Sequence, residues 1–421
     1  MSEMLEPEQS PPAQTYIRRL RALPLDVKLF LLATSMVGFA IMSGIYPVLF
    51  NLYLLRIGYE IEFIGLVNAA GLLAYALLAL PSGVLAARLG IRRTMVIGLA
   101  LSTVCYVLQP LVASIPGPLG ATWILTCRIL AAVGIALYYV NSIPFLANAT
   151  RPDERNYAYS VQMAAGTLAG FAGSLLGGAL PTLLAPILGV SPDDPAPYRY
   201  ALVLAATLCV PAVFAMLAVH EPRAAHAQAH QAASPADAAP VALIVIIAFT
   251  VLLRASAVGA SYTFFNVYLD DELGISTTNI GLLFAAVQLV SAPAAMAMPA
   301  FVRRWGNHDT VVYGSLGAAG SLVLLAVIPH WLAAFVGRAG IYAFSSVSDP
   351  AFSIYQMEAV SPRWRTLMAG ASSLALGLSW TTLAFGGGHL IVSLGYRVLF
   401  LSGAGLTLLG TLLFWLYFRR R

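Results

Sequence analysis

The feature of this sequence that most restricts its fold is a series of twelve long apolar stretches. A helix needs about 20 apolar residues to cross a bilayer. The stretches are continuously apolar rather than alternating, which favours helices over the strands of a membrane barrel. The predicted fold is therefore an all-α membrane protein with twelve transmembrane helices. The predicted spans, numbered 1 to 12, are 28–50, 63–82, 94–114, 121–147, 158–186, 200–219, 241–268, 276–300, 311–329, 331–357, 366–393 and 398–418.

The low charge content excludes a soluble protein. Of the 421 residues, 59% are hydrophobic and 10% are charged, whereas an ordinary soluble domain has about 25% charged residues. So few charges cannot form a solvated surface, and this excludes a soluble enzyme. The sequence also contains no metal-ligand cluster, nucleophile triad or phosphate loop, so we expect no cofactor. Despite the net charge of +5, we expect no nucleic-acid partner.

The positions of the basic residues predict the orientation of the chain. Most of the 23 Lys and Arg residues lie on the segments that share a side with the N-terminus. Three lie on the opposite side, namely Arg56, Arg199 and Arg397. Cytoplasmic loops carry the excess of Lys and Arg in membrane proteins. We therefore expect both termini to lie in the cytoplasm and the protein to lie in the cell membrane. We also expect a monomer.

The two halves of the sequence resemble each other. The pentapeptide Phe50–Leu54 (FNLYL) recurs as Phe265–Leu269 (FNVYL). Further pairs recur at offsets of 216 and 210 residues, among them Arg88 with Arg304 and Arg128 with Arg338. Such a parallel repeat commonly places a binding site between its halves, near the middle of the membrane. The predicted organisation is an N-terminal tail (1–27), a six-helix bundle (28–219), a polar Ala/Pro-rich linker (220–240) and a second, pseudo-symmetric six-helix bundle (241–421).

Three short motifs resemble those of the major facilitator superfamily. The loop Gly83–Arg93 (GVLAARLGIRR) is similar to the family pattern G-x-x-x-D-R-x-G-R-R, with Ala87 at the usual Asp position. In span 4, Arg128 and Gly134 resemble R-x-x-x-G-x-G, and Gly173–Gly178 (GSLLGG) in span 5 resembles the G-P-x-x-G-G of antiporters. The resemblance implies a secondary transporter that works by alternating access. It also implies that spans 1, 4, 7 and 10 line a central cavity.

The arginine loop and the glycines of span 5 each have two interpretations. Arg88, Arg92 and Arg93 could bind helix C-terminal carbonyls and gate one conformational state. Alternatively, their charges only anchor the loop on the cytoplasmic side. The glycines of span 5 could belong to an antiporter motif, or they could simply allow close helix packing. These glycines are Gly166, Gly170, Gly173 and Gly177.

Four ionisable residues lie within the predicted spans, which is a functional signal by default. Arg128, Arg254 and Arg338 fall on spans 4, 7 and 10, three of the helices that the resemblance implies line the cavity. Their guanidinium groups would attract a carboxylate or a phosphate. Arg254 lies near the middle of its span, so we predict that it anchors the substrate. Arg128 could instead serve structure or coupling, and Arg338 could extend toward the interface.

The fourth of these residues, Asp349, precedes Pro350, which disfavours helical geometry at the residue before it. We expect span 10 to bend or break there. Asp349 could carry a proton, pair with an arginine in one state, or satisfy freed backbone groups. Further substrate-contact candidates are polar or aromatic residues of the spans, although packing is the alternative for each aromatic. They are Tyr46, Asn51, Tyr139, Gln162, Tyr262, Asn266, Gln288 and Trp380.

The sequence thus predicts a secondary transporter of a small, anionic organic solute. The alternative is a proton-coupled efflux antiporter of drug-like or amphipathic compounds. The span 5 glycines favour that alternative, but span 1 has no Asp or Glu to carry a proton. Protons or a counter-anion are the expected coupling partners. A non-transporting sensor or a lipid-translocating protein on the same fold is a third possibility.

Overall fold

The structure, a computed structural model, describes residues 23–115, 117–151, 154–220, 240–361 and 364–418. These residues form helices, and no strand occurs among them. The α-helices are Leu25–Val37, Ile45–Arg56, Ile61–Leu89, Ile91–Leu108, Pro118–Tyr139, Ser142–Ala149, Arg155–Leu188, Pro195–Thr207, Val210–Ala218, Val241–Arg254, Ser256–Val267, Thr277–Val327, Trp331–Glu358, Arg365–Leu394 and Tyr396–Phe418.

Ten helical segments of the described chain are long and apolar enough to cross a membrane. The longest, Thr277–Val327, has 51 residues and is divided at Gly306, whose φ of 78° is not helical. It therefore accounts for predicted spans 8 and 9. Predicted span 10 corresponds to Trp331–Glu358, which continues through Pro350 without ending. The twelve-helix all-α prediction is confirmed. Of the bend or break predicted before Pro350, the break is wrong, because the helix is continuous there.

The predicted tail and linker fall largely outside the described residues. Positions 1–22 of the tail and 221–239 of the linker are not described. The first helix begins at Leu25, three residues before the predicted start of span 1.

The internal repeat is visible in the backbone. Gly90 and Gly306, 216 residues apart, both have positive φ, at 94° and 78°. A threonine follows each glycine by four residues, and its hydroxyl donates a hydrogen bond to the carbonyl of that glycine. Arg155 and Arg365, 210 residues apart, each donate from Nε to the carbonyl eight residues earlier, in both cases over 3.0 Å. The two halves therefore share local structure at the offsets found in the sequence.

The first helix of each half is interrupted near the middle of its span. In span 1, the π-helix Gly38–Met42 separates the helices Leu25–Val37 and Ile45–Arg56. In span 7, the helix Val241–Arg254 ends at Ala255 before the next helix begins. Interrupted transmembrane helices expose backbone groups, and such groups are tolerated where other parts of the protein satisfy them.

The two halves meet along spans 2 and 11, where a Cβ on Gly370 would lie 3.3 Å from Leu80, and at one end of the molecule, which we call the outer end. There Arg56 of span 1 makes two hydrogen bonds to Asp270 of span 7, at 3.1 and 2.9 Å. The hydroxyl groups of Tyr198 and Thr277 also lie 2.6 Å apart across the halves. The opposite end, which carries the loop Gly83–Arg93, is the arginine-rich end.

Glycines of span 5 show how the contact between the halves changes along the molecule. A Cβ on Gly178, near the outer end, would lie 2.7 Å from the Cα of Gly281 in span 8. Gly166 lies twelve residues earlier, about 18 Å along the helix, and a Cβ there would meet nothing within 4 Å. Spans 5 and 8 therefore touch at the outer end and separate toward the arginine-rich end.

A substitution at the glycine contact should open the outer end. The hydroxyl oxygens of Thr182 and Thr278 lie 3.2 Å apart across spans 5 and 8. We expect the pair Thr182→Cys and Thr278→Cys to crosslink under mild oxidation, once the three buried native cysteines are replaced by alanine. Gly281→Val should reduce the crosslinked fraction severalfold, measured by gel mobility, because its side chain has no room. Gly166→Ala is the matched control, and an equal loss in that variant would contradict the packing argument.

Candidate functional site

A cavity of about 400 Å³ lies between the two halves. A smaller one of about 90 Å³ extends it, because both are lined by Met42, Pro47, Tyr262, Phe284 and Arg338. We call these the large and the deep cavity. Side chains of spans 1, 4 and 5 line the large cavity from one half, and those of spans 7, 8 and 10 line it from the other. The site therefore depends on both halves, as in other parallel-repeat transporters.

Arg338 lies in the wall of both cavities. Its guanidinium carbon is 4.2 Å from the ring centre of Phe265 and 4.4 Å from that of Phe284. Its Nη1 donates a hydrogen bond of 2.6 Å to the carbonyl of Ser261. Cation–π contacts and a carbonyl acceptor thus hold this buried charge without a carboxylate.

Arg128 reaches the deep cavity from the other half. Its Nη2 donates to the Oδ1 of Asn68 over 3.2 Å, while its Nε is buried without a hydrogen-bond partner. A Cβ on Gly71 would lie 2.9 Å from that Nε, so only glycine leaves room for the arginine against span 2. Span 2 and Asn68 therefore hold Arg128 in place, and its described hydrogen bond uses only Nη2.

No Asp or Glu is found among the described residues that line the large and deep cavities. The two guanidinium groups therefore make the wall positive. Charges in a cleft with apolar walls act over longer distances than charges in water. The electrostatics of the site favour an anion.

Pro47 explains the position of Gln288. Proline has no N–H group, so the carbonyl four residues earlier in a helix is left without its usual partner. Here that carbonyl belongs to Ser43, and it accepts hydrogen bonds from the Oγ of Ser174 at 2.9 Å and the Nε2 of Gln288 at 3.1 Å. Gln288 lines the large cavity and at the same time joins span 8 to span 1.

Four predicted aromatic residues lie at or behind the cavity wall. Tyr139 lines the large cavity, Tyr46 the deep cavity and Tyr262 both. The hydroxyl of Tyr46 donates to the carbonyl of Tyr106. Trp380 does not line either cavity but stacks on Tyr262, with ring centres 5.0 Å apart and planes at 24°. Trp380 therefore supports the wall rather than forming it.

Asn266 lies in the contact between the halves and not in the wall of either cavity. Its Nδ2 donates to the carbonyls of Pro47 and Val48 at 3.1 and 3.0 Å. Its Oδ1 accepts from the Nδ2 of Asn51 over 3.3 Å.

The structure does not bring Arg254 to the cavity. The Arg254 side chain, 6% exposed, donates from Nε to the hydroxyl of Ser315 over 2.8 Å. Its Nη2 lies 3.5 Å from the Oδ1 of Asp349. Pairing with an arginine is one of the three roles that the sequence suggested for Asp349. Asp349 is 64% exposed and follows Arg338 by eleven residues, about three turns along the same helix face. It therefore shares a helix face with Arg338 and lies toward the arginine-rich end, but it lines neither cavity.

The sequence profile of the Major Facilitator Superfamily matches residues 29–265 and 244–421. The chain belongs to this superfamily. It is thus a secondary transporter, a multi-pass membrane protein and not an enzyme. No curated protein sequence matches the chain.

Solved structures show the same superfamily fold. The nucleoside transporter NupG has a TM-score of 0.71 at 15% identity, covering 94% of this chain and 99% of NupG. A D-xylose–proton symporter gives 0.67 at 15%, covering 95% and 97%. A bacterial homologue of the human lysosomal transporter Spinster gives 0.65 at 15%, covering 97% and 98%. At these identities the likeness establishes the fold alone.

The superfamily loop on the arginine-rich end makes one of the contacts that its sequence suggested. Arg92 donates from Nη2 to the carbonyl of Leu217, at the C-terminal end of span 6. Arg88 and Arg93 are exposed. The Arg92 contact lies within the first half, so it does not by itself join the two halves.

Phe284, Tyr342 and Asn68 are among the residues of the site that the sequence analysis did not predict. Phe284 and Tyr342 line the cavity and contact the guanidinium of Arg338. Tyr342 could have been found, because it follows Arg338 by four residues on the same helix face. Asn68, the partner of Arg128, was recognisable as the only amide side chain in predicted span 2.

The ion pair of span 7 and span 10 should respond asymmetrically to substitution. Asp349→Leu leaves the buried guanidinium of Arg254 without a carboxylate, which costs about 3 kcal/mol of folding free energy for a broken buried pair. Arg254→Met leaves Asp349 solvated and should cost clearly less. Thermal unfolding of the two purified variants measures the difference. Equal destabilisation by both substitutions would contradict the burial that we describe.

Proposed function

We propose that the protein transports a small anionic organic solute, held between Arg128 and Arg338. The observation that supports this proposal is that two arginines from opposite halves line one cavity whose described lining has no carboxylate. A solute bridging them contacts both halves at once. In alternating access, a solute shifts the equilibrium between the two states only if its affinity for them differs. Contact with both halves allows that difference.

The available donors favour a carboxylate or a phosphate. A guanidinium has five N–H groups in a planar fork that matches two oxygens of one anion. The described hydrogen bond of Arg128 uses only Nη2, and that of Arg338 uses only Nη1. Both residues therefore retain donors for a solute.

The rest of the wall suits an organic group of moderate size. Tyr262, Phe284 and Tyr342 present rings to the large cavity, and Gln288 and Gln162 add amides. A volume of about 400 Å³ is in the range of small-molecule sites. The structural relatives named as nucleoside and D-xylose transporters move solutes of this size class.

The orientation of the chain follows from the distribution of arginine. We infer that the arginine-rich end is cytoplasmic, so that both termini lie in the cytoplasm of a cell with this protein in its cell membrane. The cavity then opens toward the cytoplasm, and the outer end is closed. Release or capture of the solute on the other side requires the Arg56–Asp270 contact to break.

Ligand-induced thermal stabilisation tests the proposal. The purified protein is screened against organic anions, sugars, amino acids and cationic drugs, and we expect stabilisation by organic anions. Arg128→Met and Arg338→Met should each weaken binding of the stabilising anion about 10- to 100-fold, because a charged hydrogen bond contributes about 1.5–3 kcal/mol. Arg397→Met, which removes an exposed arginine at the outer end, is the matched control. Stabilisation by neutral or cationic compounds alone would contradict the anionic substrate.

A proton-coupled efflux antiporter of amphipathic compounds is the second candidate. The observation that favours it is the exposed carboxylate of Asp349, which lies next to Arg254 on the face of span 10 that carries Arg338. One structural relative is named as a proton symporter.

Proteoliposomes with an imposed pH gradient separate the two candidates. Under proton coupling, the gradient drives accumulation of the solute, and Asp349→Asn abolishes the driven component but retains exchange. The substitution Asp309→Asn, at an exposed carboxylate on the arginine-rich end, is the control. Anion exchange that is indifferent to the gradient would contradict the second candidate.

A further inference from the structure

A chain of three buried asparagines connects Arg128 to the opposite half. The Nη2 of Arg128 donates to the Oδ1 of Asn68, and the Nδ2 of Asn68 donates to the Oδ1 of Asn51 over 2.9 Å. The Nδ2 of Asn51 then donates to the Oδ1 of Asn266 and, over 2.6 Å, to the carbonyl of Thr263. The last two residues belong to span 7. We propose that Asn68 is a positioning residue that couples the guanidinium of Arg128 to the closure of the outer end.

All hydrogen bonds of this chain run in one direction. Each amide accepts on its oxygen and donates from its nitrogen, and the chain begins at a charged donor. Hydrogen bonds to ionised donors are about twice as strong as neutral ones, and bonds in series polarise one another. Asn51, Asn68 and Asn266 are 7%, 6% and 2% exposed. A break at one end therefore weakens the bonds at the other.

The position of Asn68 distinguishes coupling from simple packing. Asn51 contacts span 7 directly, so its loss would open the outer end whatever its other partners are. The described hydrogen bonds of Asn68 reach only Arg128, Asn51 and its own helix at Ile64. The hydrogen bonds of Asn68 can therefore affect the contact between the halves only through Asn51. Span 2 also packs on the other half, since a Cβ on Gly65 would lie 3.2 Å from Phe264, and Asn68→Leu retains this packing because the two side chains are similar in size.

An anion on Arg128 would act on the same chain, and this consequence rests on the proposed function. The anion competes with the Oδ1 of Asn68 for the guanidinium. Loss of that donor leaves Asn68 and Asn51 free to reorient, which weakens the bonds to Asn266 and Thr263. Arg128→Met removes the donor without any solute and so reproduces this step.

Asn141 provides a matched control. Asn68 joins spans 2 and 4 through its bond with Arg128, and Asn141 joins the same two spans. The Nδ2 of Asn141 donates to the hydroxyl of Ser82 over 3.0 Å and to the carbonyl of Leu137. It is 2% exposed. Its described bonds stay within the first half and do not lead to span 7.

Distance measurements at the outer end test the coupling. Spin labels at Val190→Cys and Asn279→Cys, both exposed and on opposite halves, report the opening in the full-length protein in nanodiscs without solute. Asn68→Leu and Arg128→Met should each raise the ratio of the long to the short distance about tenfold, equivalent to about 1.4 kcal/mol. The double variant should show no more than either single variant, since both break one chain. Asn141→Leu should leave the distances unchanged.

An unchanged distribution in Asn68→Leu, additive effects in the double variant, or an equal shift in Asn141→Leu would each overturn the proposal. Asn68→Ser, which is too short to reach Asn51, replaces Asn68→Leu if the latter does not fold. If Arg128→Met abolishes anion binding but leaves the distances unchanged, the coupling is overturned and the proposed function stays intact. If Asn68→Leu and Arg128→Met shift the distances but the unsubstituted protein binds no anion, the coupling stands and the proposed function is overturned.

Discussion

Inside a bilayer, a polar group that leaves water must find its partner within the protein, and in this structure many such partners lie in the other half of the molecule. The carbonyl of Ser43 is satisfied by Gln288 of span 8. The amide of Asn51 is satisfied by span 7. The closed outer end therefore depends on polar groups of span 1 that have their acceptors or donors across the cavity.

The interruption of span 1 makes this arrangement possible. Pro47 cannot complete the helical hydrogen bond to Ser43, and the π-helix Gly38–Met42 precedes it. An uninterrupted helix would satisfy its own backbone and offer nothing to spans 5 and 8. The break thus places an acceptor at the edge of the large cavity, where Ser174 and Gln288 reach it from opposite halves. The same segment lines the site and joins the halves.

The spans and the repeat could be predicted from sequence because they depend on local composition and on residue spacing. The repeat predicted that Arg128 and Arg338 lie at matching depth, and the family resemblance implied that their spans line one cavity. Arg254 has no equivalent arginine in the first half, and whether it turns to the cavity or to Ser315 depends on the break at Ala255, which has no clear sequence signal. The asparagine chain was equally hidden, because its links connect residues 17 to 215 positions apart.

The contact between the halves at the outer end has to be weak enough to break during transport. Each hydrogen bond between the halves contributes about 0.5–1.5 kcal/mol. A second ion pair of Arg56, with Asp193 at 3.6 Å, lies within the first half and contributes little, because Asp193 is 87% exposed. A solute bound with micromolar affinity supplies about 8 kcal/mol, but only the difference in its affinity between the two states can move the equilibrium. Two arginines without a carboxylate provide such a difference. Their charges attract the anion, and the anion competes with Asn68 for Arg128 only in the state in which Asn68 supports the contact between the halves.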